Sequence, residues 1–433
     1  VSVERYSEVR RYADITYSEP YNENTSLNGL NEFNLSKANY KEDIEKKYGT
    51  IKKLYSRDTD LVVFQEDKVS RVLFGKDILT NADGTTNVTS IEDVLGQQVA
   101  YTGEYGISDS PESFAFDGNN IYWANSKNGA VLRLGANGIT DISDTGLRTW
   151  FKDKFKISDD VYKLGAFDPY YDQYIVSFGT GGALLGEDEN TLSFDERAKG
   201  WTSFHTFRPD YMIGMNNSLY SFDNGNLYIH HDPDVDSNQY YGSTTASKVS
   251  VMVNDSPSDI KELQAVSQEA SNPWAVFLKA YKNNIDDFST STIYMSEFVE
   301  KEGHWFAYAR RNEDTNHLDS KSTYGIGEVG VVSTNSFIYN GGSALLTAGD
   351  SIIRGSDLAI IGVVLTDIDN VITMTTPAFV TTPVDGDFIF GQKNSRIEGG
   401  NLRGYTIGVD LEITSPDKVE LFAVNLEVMQ SKP

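Results

Sequence analysis

SFAFDGNNIYWANSKNGAVLRL, residues 113–134, reads as three short strands joined by two polar turns. Ile121 and Trp123 alternate with Tyr122 and Ala124, the two-residue period of a strand. Asp117-Gly118-Asn119-Asn120 has the turn chemistry that joins antiparallel neighbours. The pattern recurs. Phe64-Gln65-Glu66-Asp67-Lys68-Val69 comes before it, and Phe167-Asp168-Pro169-Tyr170 leads later into Tyr174-Ile175-Val176. Met215-Asn216-Asn217-Ser218-Leu219-Tyr220 follows, then Tyr281-Lys282-Asn283-Asn284 ahead of Ile293-Tyr294. The first four copies lie roughly 50 residues apart, within the range of four-stranded propeller blades. The expected fold is therefore mainly β: a β-propeller with a small inserted β-barrel or sandwich domain, an N-terminal arm and short helices.

Composition narrows the functions open to such a fold. The 433 residues include 25 Tyr, 22 Phe and 36 Gly, which suits sheets packed through aromatic faces and joined by tight turns. A formal net charge of −26 argues against nucleic acid as the main partner, sequence-specific binding included, and against an anionic membrane surface. The absence of cysteine rules out disulfides, thiolate metal sites and cysteine nucleophiles. No apolar run is long enough to span a bilayer, and no signal peptide is visible. The chain starts at Val1, as expected of a cleavage product or part of a longer polypeptide.

Residues 1–58 are read as an N-terminal arm and helix. VSVERYSEVRRYADITY looks like an extended arm, with helical spacing of Val3, Tyr6, Val9 and Tyr12 as the competing pattern. Ser36–Tyr48 predicts a helix with Tyr40, Ile44 and Tyr48 on one stripe and Gly49 as its stop. Lys41, Lys46, Lys47, Lys52 and Lys53 form the only dense basic run, either a solvated face or a docking face for an acidic neighbouring subunit. Residues 59–325 are assigned to propeller blades. Leu147, Trp150, Phe151 and Phe155 predict one amphipathic helix between the second and third copies. Asn272-Pro273 and Trp274-Ala275-Val276-Phe277 favour two strands within Ser256–Ala280. Residues 326–397 form an inserted small β-domain with two internal repeats. Gly330-Val331-Val332 is echoed by Gly362-Val363-Val364, and Phe337-Ile338-Tyr339 by Val371-Ile372-Thr373. Ala348-Gly349-Asp350-Ser351-Ile352-Ile353 is echoed by Asp385-Gly386-Asp387-Phe388-Ile389-Phe390. Residues 398–433 return as long strands that close the propeller.

No catalytic, cofactor-binding or metal site emerges. Gly179-Thr180-Gly181-Gly182 lacks dinucleotide spacing and a phosphate-loop lysine, and runs into Glu187-Asp188-Glu189. Asp232, Asp234 and Asp236 alternate like the start of a calcium loop, but Ser237 stands where glycine is needed and no glutamate closes the loop. They read as an exposed acidic turn. His230 and His231 are adjacent on a strand and so point to opposite faces, and the remaining histidines look scattered. Ser193-Phe194-Asp195 to Gly200-Trp201 resembles the aspartate box of sialidase propellers with altered spacing, a structural turn in those proteins.

Several stretches together resemble the tail nozzle or muzzle proteins of crAss-like and related short-tailed bacteriophages. They are YSRDTDLVVFQEDKV at 55–69, GEYGIS at 103–108, Gly165-Ala166-Phe167-Asp168-Pro169, Phe194-Asp195-Glu196 through Gly200-Trp201-Thr202-Ser203-Phe204, Leu402-Arg403-Gly404-Tyr405, and VELFAVN at 419–425. The resemblance implies a structural, non-enzymatic virion component. It also implies a homo-oligomeric ring around the DNA exit channel, in contact with other tail proteins. The competing reading is a tail or surface propeller that binds host glycans through aromatic platforms such as Tyr170-Tyr171 and Tyr240-Tyr241. A glycan-cleaving propeller ranks third.

Overall fold

A computed structural model describes residues 11–430 apart from 20, 22, 27, 34–39, 42–43, 81–85, 158–161, 180–189, 283–287, 310–322, 342–345, 376–378 and 394–401. The chain is mainly β and separates into two compact units, Val1–Val235 and Asp236–Pro433.

In the first unit, β1 (Ile15–Thr16) and β2 (Tyr40–Lys41) pair as a small two-stranded sheet. The first large sheet runs β3 (Ile51–Ser56), β4 (Asp60–Gln65), β5 (Val69–Thr80) and β6 (Thr86–Ala100). The second has β7 (Ala115–Asp117), β8 (Asn120–Asn125), β9 (Ala130–Gly135) and β10 (Gly138–Asp141). After α1 (Arg148–Ile157) comes the third, β11 (Lys163–Asp168), β12 (Gln173–Phe178), β13 (Thr191–Asp195) and β14 (Gly200–His205). The fourth holds only β15 (Tyr211–Met215), β16 (Ser218–Asp223) and β17 (Asn226–Ile229). Each is an antiparallel meander of successive strands.

The stacking follows from the residues. On β8 both faces are apolar, because sheets lie on either side. Ile121 and Trp123 pack with Val62 and Phe64 of the first sheet, whereas Tyr122 and Ala124 pack with Tyr174 and Val176 of the third. Leu164, Ala166 and Ile175 meet Met212 and Leu219 of the fourth. Trp123 sits edge-on to Phe64 at 5.2 Å and donates its indole N–H to the Gly106 carbonyl at 3.1 Å. Tyr122 and Tyr174 stack at 4.9 Å, and the Tyr174 hydroxyl donates to the Ser113 carbonyl at 2.8 Å. Two glycines let neighbouring sheets approach. A Cβ on Gly165 would lie 2.0 Å from the Ser113 carbonyl oxygen, and one on Gly214 2.1 Å from that of Phe167. Helix α1 lays Phe151 and Phe155 over the edge between the second and third sheets, and the indole N–H of Trp201 (β14) donates to the Ile142 carbonyl.

The helix expected over Ser36–Tyr48 is not formed by the described residues of that stretch. Tyr40 and Lys41 are in β2, and Lys46–Tyr48 make one 3-10 turn. Tertiary packing overrides the local period. Ile44 is buried with Ala13 and Ile15 against Val63, Val72 and Leu95, forming a cap on the outer face of the first sheet. Side-chain amides pin this backbone, with Gln98 accepting from Glu45 N–H at 2.7 Å and Gln65 donating to the Glu45 and Gly49 carbonyls. Residues 1–10 of the expected arm, the loop from Thr180 through Glu189, and Asn283-Asn284 lie outside the described residues.

In the second unit, β18 (Gln239–Tyr240) and β19 (Ser243–Thr244) form a hairpin. They are followed by β20 (Ser247–Val253), β21 (Lys261–Ala270), β22 (Ala275–Tyr281), β23 (Phe288–Ile293), β24 (Val299–Lys301) and β25 (His304–Tyr308). Next come β26 (Thr323–Val332), β27 (Ser336–Asn340), β28 (Ser351–Arg354), β29 (Ile360–Ile368), β30 (Val371–Met374) and β31 (Phe388–Gln392), and last β32 (Leu402–Gly404), β33 (Thr406–Ile413) and β34 (Leu421–Gln430). Strand β33 lies between β20 and β22, and β34 runs along β21. The two resulting sheets share one core of Leu263, Val266, Val276, Leu278, Val409 and Leu411.

Strands β26–β31 close into a six-stranded barrel in the order β26-β27-β30-β29-β28-β31. Exchanging β26, β27 and β28 for β29, β30 and β31 maps that order onto itself, so the two sequence copies occupy equivalent places. Their Gly-Asp turns match in detail. Gly349 and Gly386 are left-handed at φ 91° and 88°, where a side chain would be strained. Asp350 accepts from Thr347 N–H at 2.7 Å and Asp387 from Val384 N–H at 2.9 Å. Each aspartate also faces a cation near the end of the other copy's third strand, Lys393 at 2.9 Å and Arg354 at 3.8 Å.

Candidate functional site

In the first unit, the leading strands β3, β7, β11 and β15 are each the edge of their sheet, and all contribute to the wall of one cavity of about 490 Å³. Lys52 and Lys53 enter from β3, Phe116 and Asp117 from β7, and Tyr211 and Met215 from β15. Lys52 bridges Asp109 at 2.7 Å and Glu66 at 3.3 Å, and the bond to Asp109 chiefly raises its pKa. The Lys53 ammonium lies 5.2 Å from the centroid of the Phe114 ring. Burial, then the neighbouring carboxylates Asp172 and Glu196, push the Asp117 carboxyl above its usual value. The wall thus combines both charges with aromatic faces.

Between the third and fourth sheets the structure gathers three of the chain's five histidines, bringing His205, expected to stand apart, to the adjacent His230 and His231. His205 pairs with Ser193 Oγ at 2.7 Å, His230 pairs with Ser221 Oγ at 2.7 Å, and the Phe207 ring lies about 5 Å from both. His231 Nε2 lies 2.8 Å from Asp168 Oδ2; its ring stacks on Tyr170 at 4.7 Å and meets the edge of Tyr171 at 4.8 Å. Adjacent His230 and His231 thus go to different partners. Burial, reinforced by His231, lowers His205 and His230 to about 4, against the opposing pull of Asp168. Both imidazoles are therefore neutral at pH 7.

A serine beside a histidine invites a nucleophile reading, but the geometry argues otherwise. Ser193 and Ser221 are fully buried, so no substrate reaches either hydroxyl. The carboxylate that would orient the base is spent on His231 instead. These pairs serve as satisfied polar contacts inside the stack. No local motif announced them, because serine and histidine come together through strand pairing.

The other residues singled out in the sequence fall into turns. Asp232 Oδ1 caps the Asp234 N–H at 3.0 Å, while Asp236 opens the second unit. Among the described residues no group of three or more His, Asp or Glu side chains could hold a metal ion. Asp195 Oδ1 accepts from the N–H groups of Arg197 and Ala198, the self-capped turn of an aspartate-box-like stretch. Tyr170 and Tyr171 pack on His231 edge-to-face with each other, and Tyr240 lies in β18.

Comparison with known families gives this arrangement its context. The profile of the Crassvirus muzzle protein matches residues 14–225, and that of the muzzle protein C-terminal domain matches residues 235–312. The chain belongs to the Crassvirus muzzle proteins. It is a structural protein of the phage virion and resides in the tail. The first muzzle match runs from the cap through β16, the second covers β18–β25, and neither reaches the barrel or β32–β34. A comparison with curated proteins finds no match. Among solved structures, Citrobacter koseri AztD aligns over 80% of this muzzle chain and 91% of its own, at 10% identity and a TM-score of 0.25. No helix among the described residues is long and apolar enough to cross a membrane.

Proposed function

We propose that this muzzle protein assembles with identical copies into a ring at the tail, around the channel through which DNA leaves, and works by geometry rather than catalysis. The observation that carries the reading is the pair of muzzle matches over residues 14–225 and 235–312. The stacked sheets of the first unit support it, since meanders packed face to face resist deformation as a subunit under load must. They are best understood as blades of a propeller, and residues 326–397 as an insertion ahead of the returning strands at 398–433.

The charge supplies a mechanism. With 63 acidic residues against 37 basic ones, a channel wall made by this protein repels the phosphate backbone and lets it slide without sticking. Imaging of intact virions should show the protein as a closed ring coaxial with the tail. Replacing lumen-facing carboxylates by amides should slow genome ejection. A subunit lying off the tail axis, or unchanged ejection kinetics, would remove the channel role.

A further inference from the structure

The cavity between the leading strands carries more polar side chains than the fold uses. Every residue lining it belongs to the first unit, so its walls are set within that unit. Lys52 is held by Asp109 and Glu66. By contrast, no hydrogen bond or ion pair ties the side chains of Lys53, Asp117, Tyr211, Asn216 or Asn217 to any described residue. Aromatic faces are left wet beside them. Phe116 is 52% exposed although the Tyr55 ring lies 5.0 Å away, and Tyr211 is 46% exposed. These groups are spread along the cavity. The Lys53 ammonium stands over Phe114, just ahead of β7, and Asp117 ends that strand, about 10 Å further along the extended backbone.

We propose that this cavity binds a short glycan, stacked on Phe116 and Tyr211, with an acidic ring at Lys53 and hydroxyls at Asp117, Asn216 and Asn217. The chemistry of the wall selects this class. A sugar ring has an apolar C–H face that covers an aromatic ring, and a rim of hydroxyls that both donate and accept. Carboxylate and amide side chains satisfy such hydroxyls without needing an opposite charge. A purely apolar ligand would strip water from these polar groups and return no hydrogen bonds. A phosphate would find one free ammonium, with the carboxylates of Asp117 and Glu112 in the same wall. An extended peptide would need open strand edges, but β11 and β15 press their backbones on the preceding sheet at Gly165 and Gly214. The volume of about 490 Å³ lies within the range of ligand pockets, and the charged ends stand about a disaccharide's length apart. The site does not depend on whether the ring closes.

The test is saturation-transfer NMR of the full chain with three probes: lactose, maltotriose, and sialyllactose, which carries one carboxylate on a terminal ring. All three should bind, with saturation strongest on the C–H protons of one sugar face, and sialyllactose should bind several-fold more tightly than lactose. Phe116→Ala should weaken all three at least about tenfold. Asp117→Asn should weaken them several-fold. Lys53→Gln should remove the preference for sialyllactose and leave lactose binding unchanged. Lys53 and Asp117 are exposed, so their variants keep the fold even where Phe116→Ala lowers the melting transition. Silence from all three sugars would overturn the proposal, as would binding that survives both Phe116→Ala and Asp117→Asn. Equal binding of lactose and sialyllactose would overturn the acidic ring at Lys53. Saturation of a mixed-charge pentapeptide, with none of the sugars, would assign the cavity to a protein partner and overturn the glycan.

Discussion

The two units are built from the same kind of strand by opposite rules. In the first, every large sheet is a run of successive strands, so each hairpin forms from residues a few positions apart. In the second, Ser247 pairs with Ile413 and Lys261 with Gln430, so the sheets wait for strands more than a hundred residues later. Local closure costs little chain entropy, and distant closure costs more and comes later. Autonomy therefore differs, and the contrast can be broken experimentally.

The largest effect should come from truncation. A chain ending at Val235 should keep its sheets and melt cooperatively, whereas in residues 236–400 the barrel should fold but the sheets of β20–β25 should not, because β33 is the inner partner of both β20 and β22. Circular dichroism melts and limited proteolysis decide this, and a molten 1–235 fragment would end the comparison. Next in size is Trp123→Ala, at a side chain buried between the first two sheets. It should cost about 3–5 kcal/mol and lower the transition of the first unit without moving that of the second, as read by calorimetry.

A smaller effect concerns acid. His205 and His230 titrate near 4 in the folded chain and near 6.5 once unfolded, so the unfolded state takes up protons first as pH falls. Their contribution is complete above pH 6.5 and is lost progressively toward pH 4. Each accounts for at most about 3 kcal/mol, and His205→Asn should flatten the pH dependence of urea midpoints over that window.

The same contrast explains what could be read in advance. Met215-Asn216-Asn217-Ser218 is legible because Asn216 and Asn217 both take positive φ, which asparagine tolerates, and the hairpin pairs Met215 with Ser218 directly. Helix α1 is legible because Trp150, Phe151 and Phe155 mark one face of a single element, although it starts and ends a few residues later than the spacing indicates. The meeting of His205 with His230 is not, since it depends on packing between the third and fourth sheets. Nor is the strand at Tyr40–Lys41, which forms because Ile44 is pulled into the cap and leaves its helical stripe. Periodicity reports what one element needs, and it is silent on which distant element satisfies it.

The late arrival of β33 and β34 also matters on the ribosome. At bacterial elongation speeds β21 emerges roughly 10–30 s before the strand that will lie along it, and the whole barrel is translated in between. During that interval the nascent chain carries an unpaired edge, as adhesive toward other nascent chains as toward its own missing strand. The barrel, with no free edge once its six strands close, can finish folding while it waits. Yield in a cell should therefore depend on how well the half-made second unit is shielded from its neighbours.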